Sequence, residues 1–388
     1  MFALELAMAA ALQAVPAPPS NSLEIRFCPE AKVRAYPLDS LRGAQGLLLQ
    51  NVAIVNLGRV PVTLDRIAIQ LRKAETPIDE RRFGREQIEA AAKAAQAAKA
   101  QGMFELAKFQ FCEGRLFDAA AIASGTTLQA GEALLLMQNI FAYKGNRTAV
   151  AVTASGLVGS APVSIAAAIP IDTTSSKTQF RWPLSAKRTW LVGSGASFHT
   201  THRWAVPEEF ALDIIAIDAN GSTHRRSGAR NADFHAYGTD VVAAAPGQVV
   251  SAIHGVPEPA PMLRRAGEAM EAYYGRIGEQ QAKNLAAGER GVSGNAVIID
   301  HGNGEFSSYV HLLPGSIRVN AGDRVTAGQI IGKLGSSGNS TEPHLHFQVC
   351  DKGSSLSCAG IPPTFVGIEV LNADGPRPIQ SGDLVRPQ

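Results

Sequence analysis

Residues 338–349 read GNSTEPHLHFQV, a turn of Gly, Asn and Ser followed by apolar and polar side chains in alternation. That alternation is the period of a β-strand, and it sends His344 and His346 out from the same face. Two imidazoles side by side can divide the work of a hydrolytic metal site, one holding the ion and the other handling a proton. The same pair also occurs on ordinary exposed strand edges. Working upstream, two short strand-like runs flank the turn HGNGE (His301–Glu305), and a further run reaches Tyr309 and His311 before Gly-containing turns lead back to EPHLHF.

The rest of the chain frames this stretch. Its 388 residues suggest two or three domains, each long enough to bury a core. With 18% charged residues and a formal net charge of +2, it has neither the basic excess of a nucleic-acid binder nor the bias of a disordered tail or coiled coil. The 37 glycines and 22 prolines point to many turns and so to a mostly β protein. No run of 18 apolar residues occurs, so no transmembrane span is expected. All nine histidines lie at position 199 or later, which places the chemistry in the second half.

From residue 22 to about 175, strand-like runs recur between Gly, Pro and Asn, as in an antiparallel β-sandwich. Ile67, Ile69 and Leu71 alternate with polar neighbours as on a half-buried strand. Arg85–Gln101 is rich enough in Ala, Lys, Gln and Glu to predict a helix, within a helical insertion near 85–109. This half offers no catalytic constellation and reads as a structural or partner-binding domain, through which a protein partner would be engaged. The polar segment 176–195 is expected to be a linker and 196–388 the chemical domain, with insertions near 214–238 and 257–291. The second insertion predicts a helix around Met262–Ala286 that either gates a cleft or merely covers the sheet.

Residues 1–21 begin with an Ala/Leu-rich run ending at Val15-Pro16-Ala17, similar to a secretory signal, although Glu5 and the missing basic start depart from that pattern. A short amphipathic helix is the other reading. Export, to a periplasm or the outside, makes Cys28–Cys112 and Cys350–Cys358 the economical disulfides. Four cysteines allow two other pairings, and a reducing compartment would leave free thiols.

The strings GQVVSAI, HGNGEFSSYVHL, VNAGDRVTAGQIIG and SSGNSTEPHLHFQV, in this order, resemble the lysostaphin-type (LytM-like) zinc endopeptidases that cut bacterial peptidoglycan. The resemblance covers roughly residues 195–370. It implies an antiparallel β-sheet metallopeptidase domain, a Zn2+ cofactor and peptidoglycan peptides as substrate. It also implies that His346 is a zinc ligand and that His344 and His311 are catalytic, one taking the proton of the attacking water and the other stabilising the oxyanion or protonating the leaving amine.

The upstream ligands are less direct, because the usual HxxxD pattern is broken. Asp240 falls where the family usually has Pro, whereas Asp213 in FALDII occupies the ligand position, with Glu209 rather than His four residues before it. Some relatives place the ligand His farther upstream, which maps to His202, ten residues intervening before Asp213. His202 with Asp213 is the expected pair. His235 with Asp240, and Glu209 as an oxygen ligand, remain open, and His199 is the nearest competitor to His202. His224, His254 and His301 read as surface or turn residues. Two imidazoles and a carboxylate leave an open position on a tetrahedral ion, as a hydrolase requires. The runner-up reading is a catalytically silent wall-binding protein or an activator of a cell-wall amidase.

Overall fold

The structure is a computed structural model that describes residues 23–38, 43–185, 188–198, 200, 202–373 and 377–388. The signal-like segment and His199 lie outside the described residues. The protein is mostly β, and two β units account for it.

In the N-terminal unit, strand Ala44–Asn56 pairs with Leu23–Cys28, Val33–Pro37 and Glu132–Lys144, while strand Val62–Lys73 pairs with Thr76–Phe83 and Ala149–Val158. A two-residue parallel pairing of Ile171 with Val33 and Asp172 with Arg34 joins the two groups. Leu47, Leu49, Val52 and Ile54 share one core with Ile67, Ile69, Leu71, Val150 and Val152. Strand Ala44–Asn56 is buried on both faces, which explains its nearly unbroken apolar run LLLQNVAIV. Its second face, at Ala53 and Val55, is covered by Phe104, Phe111 and Leu116 and by Val206 from the other half of the chain. The predicted helix forms over Arg85–Ala100, burying Ile88, Ala92 and Ala95. Disulfide Cys28–Cys112 ties the end of this helical insertion to the first described strand.

The C-terminal unit is a nine-stranded antiparallel sheet. Its middle runs Gly247–Ile253, Asn295–Asp300, Phe306–Leu312, Leu345–Cys350, Leu212–Ala216, Trp190–Ser194. On the Leu345–Cys350 strand, Leu345, Phe347 and Val349 enter the core beside Val297, Ile299, Tyr309, Leu212 and Ile214. By strand parity His346, Gln348 and Cys350 stand on the opposite face.

Two expectations are modified here. The segment read as a linker is built into the second unit: Phe180, Trp182, Leu184 and Trp190 all lie in its core, and Gln179–Phe180 pairs with Thr364–Phe365. The few large aromatics in an otherwise polar stretch outweigh its composition, since each brings a large apolar area to burial. The helix expected around Met262–Ala286 forms only over Met270–Ala286. Gly267, at a φ of 76°, sits in a turn just ahead of that helix and breaks the expected run.

Candidate active site

The site is assembled first by strand register. Asp213 is the direct antiparallel partner of His346, and Val310 pairs with His346 from the other side. His346 Nδ1 consequently lies 3.1 Å from Asp213 Oδ1. His202 arrives from outside the ladder, on the 3-10 turn His202–Trp204, with Nε2 3.1 Å from Asp213 Oδ2. Donor atoms of His202, Asp213 and His346 all lie within 4.8 Å of one another, so these three could hold one cation. Two imidazoles and a carboxylate are the donor chemistry of a zinc site with an open position.

His344, immediately before the strand, adds a third imidazole, its Nε2 3.3 Å from Asp213 Oδ1. Its Nδ1 faces the carbonyl of Glu342 at 2.8 Å. A carbonyl only accepts, so Nδ1 carries the proton and Nε2 is left for the cleft. His311 is oriented in the same way by Ser337 O, 2.7 Å from its Nδ1, and its ring centroid is 4.7 Å from that of His344. The backbone makes this geometry at a β-bulge: Asn295 pairs with Leu312 but Val297 with Tyr309, and His311 takes a φ of 64°. A bulge re-aims a side chain, and such a φ on a non-glycine residue is a strained one. The Ser337 carbonyl comes close because two glycines pass back to back; a Cβ on Gly338 would stand 2.4 Å from the Gly294 nitrogen.

A residue beyond the expected set completes the arrangement. Gln348 Oε1 lies 2.7 Å from His346 Nε2, while Gln348 Nε2 donates to Ser355 O at 2.9 Å. The amide is thereby fixed with its oxygen toward the imidazole, His346 donates from Nε2, and Nδ1 faces Asp213. Ser355 belongs to the short loop closed by disulfide Cys350–Cys358. Gln348 was visible in principle, being two residues past His346 on the same strand face.

Electrostatics separate His311 from His344. Burial lowers His311, the neighbouring His344 and His346 lower it further, and it stays well below the usual imidazole range. Burial also opposes the charge on His344 and His202, but the adjacent Asp213 carboxylate outweighs it, raising His344 and pushing His202 up to about 9. Asp213 in turn is held well below the carboxylate range, burial being outweighed by His202 and His344.

The competing candidates lie elsewhere. Asp240 is paired with Lys333 at 2.7 Å, and His235 sits 3.8 Å from Asp218. Glu209 is the counter-ion of Arg203, at 2.7 Å. His301 bonds Pro246 O from across the fold and Ser307 Oγ on the next strand, His254 is exposed, and His224 is half-buried against Phe234. The five site residues line a cleft of about 420 Å3. One wall comes from the N-terminal helical insertion at Met103, Ala107, Phe109 and Gln110, and another from Gln281 and Leu285 of helix Met270–Ala286.

Comparison with known proteins places this cleft in context. Residues 272–358 match the model of peptidase family M23. That stretch contains His311, His344 and His346, while His202 and Asp213 precede it. Among similar proteins is the peptidoglycan DD-endopeptidase ShyA of Vibrio cholerae, 40% identical over 72 residues, 18% of this chain and 16% of that one. The glycyl-glycine endopeptidase ALE-1 of Staphylococcus capitis is 50% identical over 58 residues, 15% of this chain and 16% of that one. This chain thus spans about a sixth of the length of these relatives. Among solved structures, the catalytic domain of lysostaphin from Staphylococcus simulans is 20% identical, covering 45% of this chain and 88% of that chain with a TM-score of 0.25. By the family match and these relatives, the stretch 272–358 of this chain is similar to peptidase family M23.

Proposed function

We propose that this protein is an exported, zinc-dependent endopeptidase that hydrolyses peptide bonds in bacterial peptidoglycan. The observation that carries the reading is the convergence of His202, Asp213 and His346 within 4.8 Å, beside the buried pair His311 and His344. The endopeptidase names of the similar proteins support the substrate class. Two disulfides support an oxidising compartment, periplasmic or extracellular.

In this reading His202, Asp213 and His346 would hold the ion. When bound, zinc supplies Lewis acidity, acidifying water toward neutral pH and polarising the scissile carbonyl. The chain supplies the proton handling. His311, kept neutral by burial and its neighbours, offers Nε2 as a base. His344 is drawn toward its protonated form by Asp213, and from Nε2 it donates to the developing oxyanion or the leaving amine. Ser337 O accepts from Nδ1 of neutral His311 and so leaves its Nε2 free, while Glu342 O accepts from Nδ1 of protonated His344 and leaves its Nε2–H to donate.

The deciding experiment measures bound zinc and muropeptide release for the wild type, His344→Ala and His202→Ala. We expect about one zinc per chain, hydrolysis by the wild type alone, and metal lost only in His202→Ala. Stoichiometric zinc with no hydrolysis by any preparation would sink the enzyme and promote the silent activator. Full metal content in His202→Ala would remove His202 from the ligand set.

A further inference from the structure

His202 differs from the other metal-site residues in having no strand to hold it. Ten residues separate it from Asp213, and its turn has only three residues. What holds that turn is the next residue. Arg203 is fully buried, and its guanidinium carbon lies 4.3 Å from the Tyr36 ring centroid, 4.9 Å from Phe210 and 5.2 Å from Phe198. Its Nη1 is 2.7 Å from Glu209 Oε1. Its backbone carbonyl accepts from Gln50 Nε2 at 2.8 Å.

Tyr36 and Gln50 belong to the N-terminal unit, on strands Val33–Pro37 and Ala44–Asn56. A second strand position makes room for the same box: a Cβ on Gly46 would stand 2.9 Å from the Phe198 ring. A guanidinium is always charged and its desolvation is costly, so it is buried stably only where a carboxylate and aromatic faces surround it. That requirement selects one seat for Arg203, and hence one position for the residue before it.

We infer that the N-terminal β unit is a structural part of the metal site: Tyr36 and Gln50 position His202 by clamping Arg203. The inference rests on the reading of His202 as a zinc ligand and extends it. Tyr36, Gln50 and Arg203 are positioning residues, since none of them lines the cleft. The working part of Tyr36 is its ring, because among the described residues its buried hydroxyl has no hydrogen-bond partner.

The test is the zinc dissociation constant of the full chain, measured by chelator competition, with thermal unfolding to verify that each variant is folded. Tyr36→Leu and Gln50→Leu should each weaken zinc by about 10- to 100-fold, the usual effect of losing support around a ligand. Tyr36→Phe should restore wild-type affinity. Ile69→Val, a mild change in the N-terminal core remote from the clamp, should leave affinity unchanged. Wild-type affinity in folded Tyr36→Leu and Gln50→Leu overturns the clamp while leaving the zinc site standing. Equal weakening by Ile69→Val also overturns it, as it would show a general loss of stability. A wild type that binds no zinc sinks the metal reading itself, and the clamp with it.

Discussion

The two sides of the site are held by different means. On one side Asp213 and His346 face each other across a hydrogen-bonded ladder whose core-facing neighbours, Leu212, Leu345 and Phe347, are fully buried. On the other, His202 sits on a three-residue turn held through Arg203 by side chains from a different unit. Ladder register is a discrete property, since a slip of one residue would turn His346 into the core. Turn placement is a continuous one, adjustable by packing. Changes in the residues that support the turn should therefore act on the site in graded steps, whereas the pairing of Asp213 with His346 stands as long as the register does.

The largest effect expected is from Asp213→Ala. It removes the carboxylate on which three imidazoles converge, and both zinc content and muropeptide release should fall to background. Retention of near-stoichiometric zinc would show that the ladder is not the site's anchor. Next come His311→Ala and His344→Ala, each expected to retain zinc and to lose about 10²- to 10⁴-fold in hydrolysis, the usual contribution of a positioned acid or base. Loss of metal by either would merge the proton-handling pair with the ligand set.

Gln348→Leu is predicted to be smaller, weakening zinc by about 10- to 100-fold as His346 loses the acceptor that fixes its tautomer. Unchanged affinity would mean that register alone orients the ring. The smallest effect concerns the metal-free protein. His202 rises from 6.5 to about 9 on folding, so its pairing with Asp213 contributes stability fully below pH 6.5, lost as pH rises through 9. The Tm of the metal-free protein should fall by a few degrees over that window, and His202→Gln should shrink the trend to the share that His344 contributes. Asp213 acts in the opposite direction, its contribution lost only as pH falls well below the carboxylate range.

What could be read from the sequence follows the same division. HLHF announces a strand with two histidines on one face because alternation is a local property, and Arg85–Gln101 announces a helix because propensity is one too. The core membership of Phe180 and Trp182 was hidden, as it depends on partners such as Phe365 and Phe347, far along the chain. The ligand role mapped to His202 rested on resemblance alone, since nothing in THRWAV shows that Arg203 would be seated by Tyr36 and Gln50. Nor does YVHL show the bulge that turns His311, which arises from pairing with Asn295 and Val297. The N-terminal half, with no histidine and no cluster of its own, gave no sign that Met103, Phe109 and Gln110 would wall the cleft.

The conformation of His311 has a consequence for the tolerance of the chain to change. A φ of 64° is one that glycine adopts freely and that histidine, like other residues with a Cβ, adopts at some cost. Position 311 therefore sets backbone preference against side-chain chemistry. Selection for thermal stability alone would drift toward glycine there, and selection for hydrolysis would hold the histidine. Libraries of this protein sorted only for folding should be depleted of the residue that the proposed reaction cannot do without.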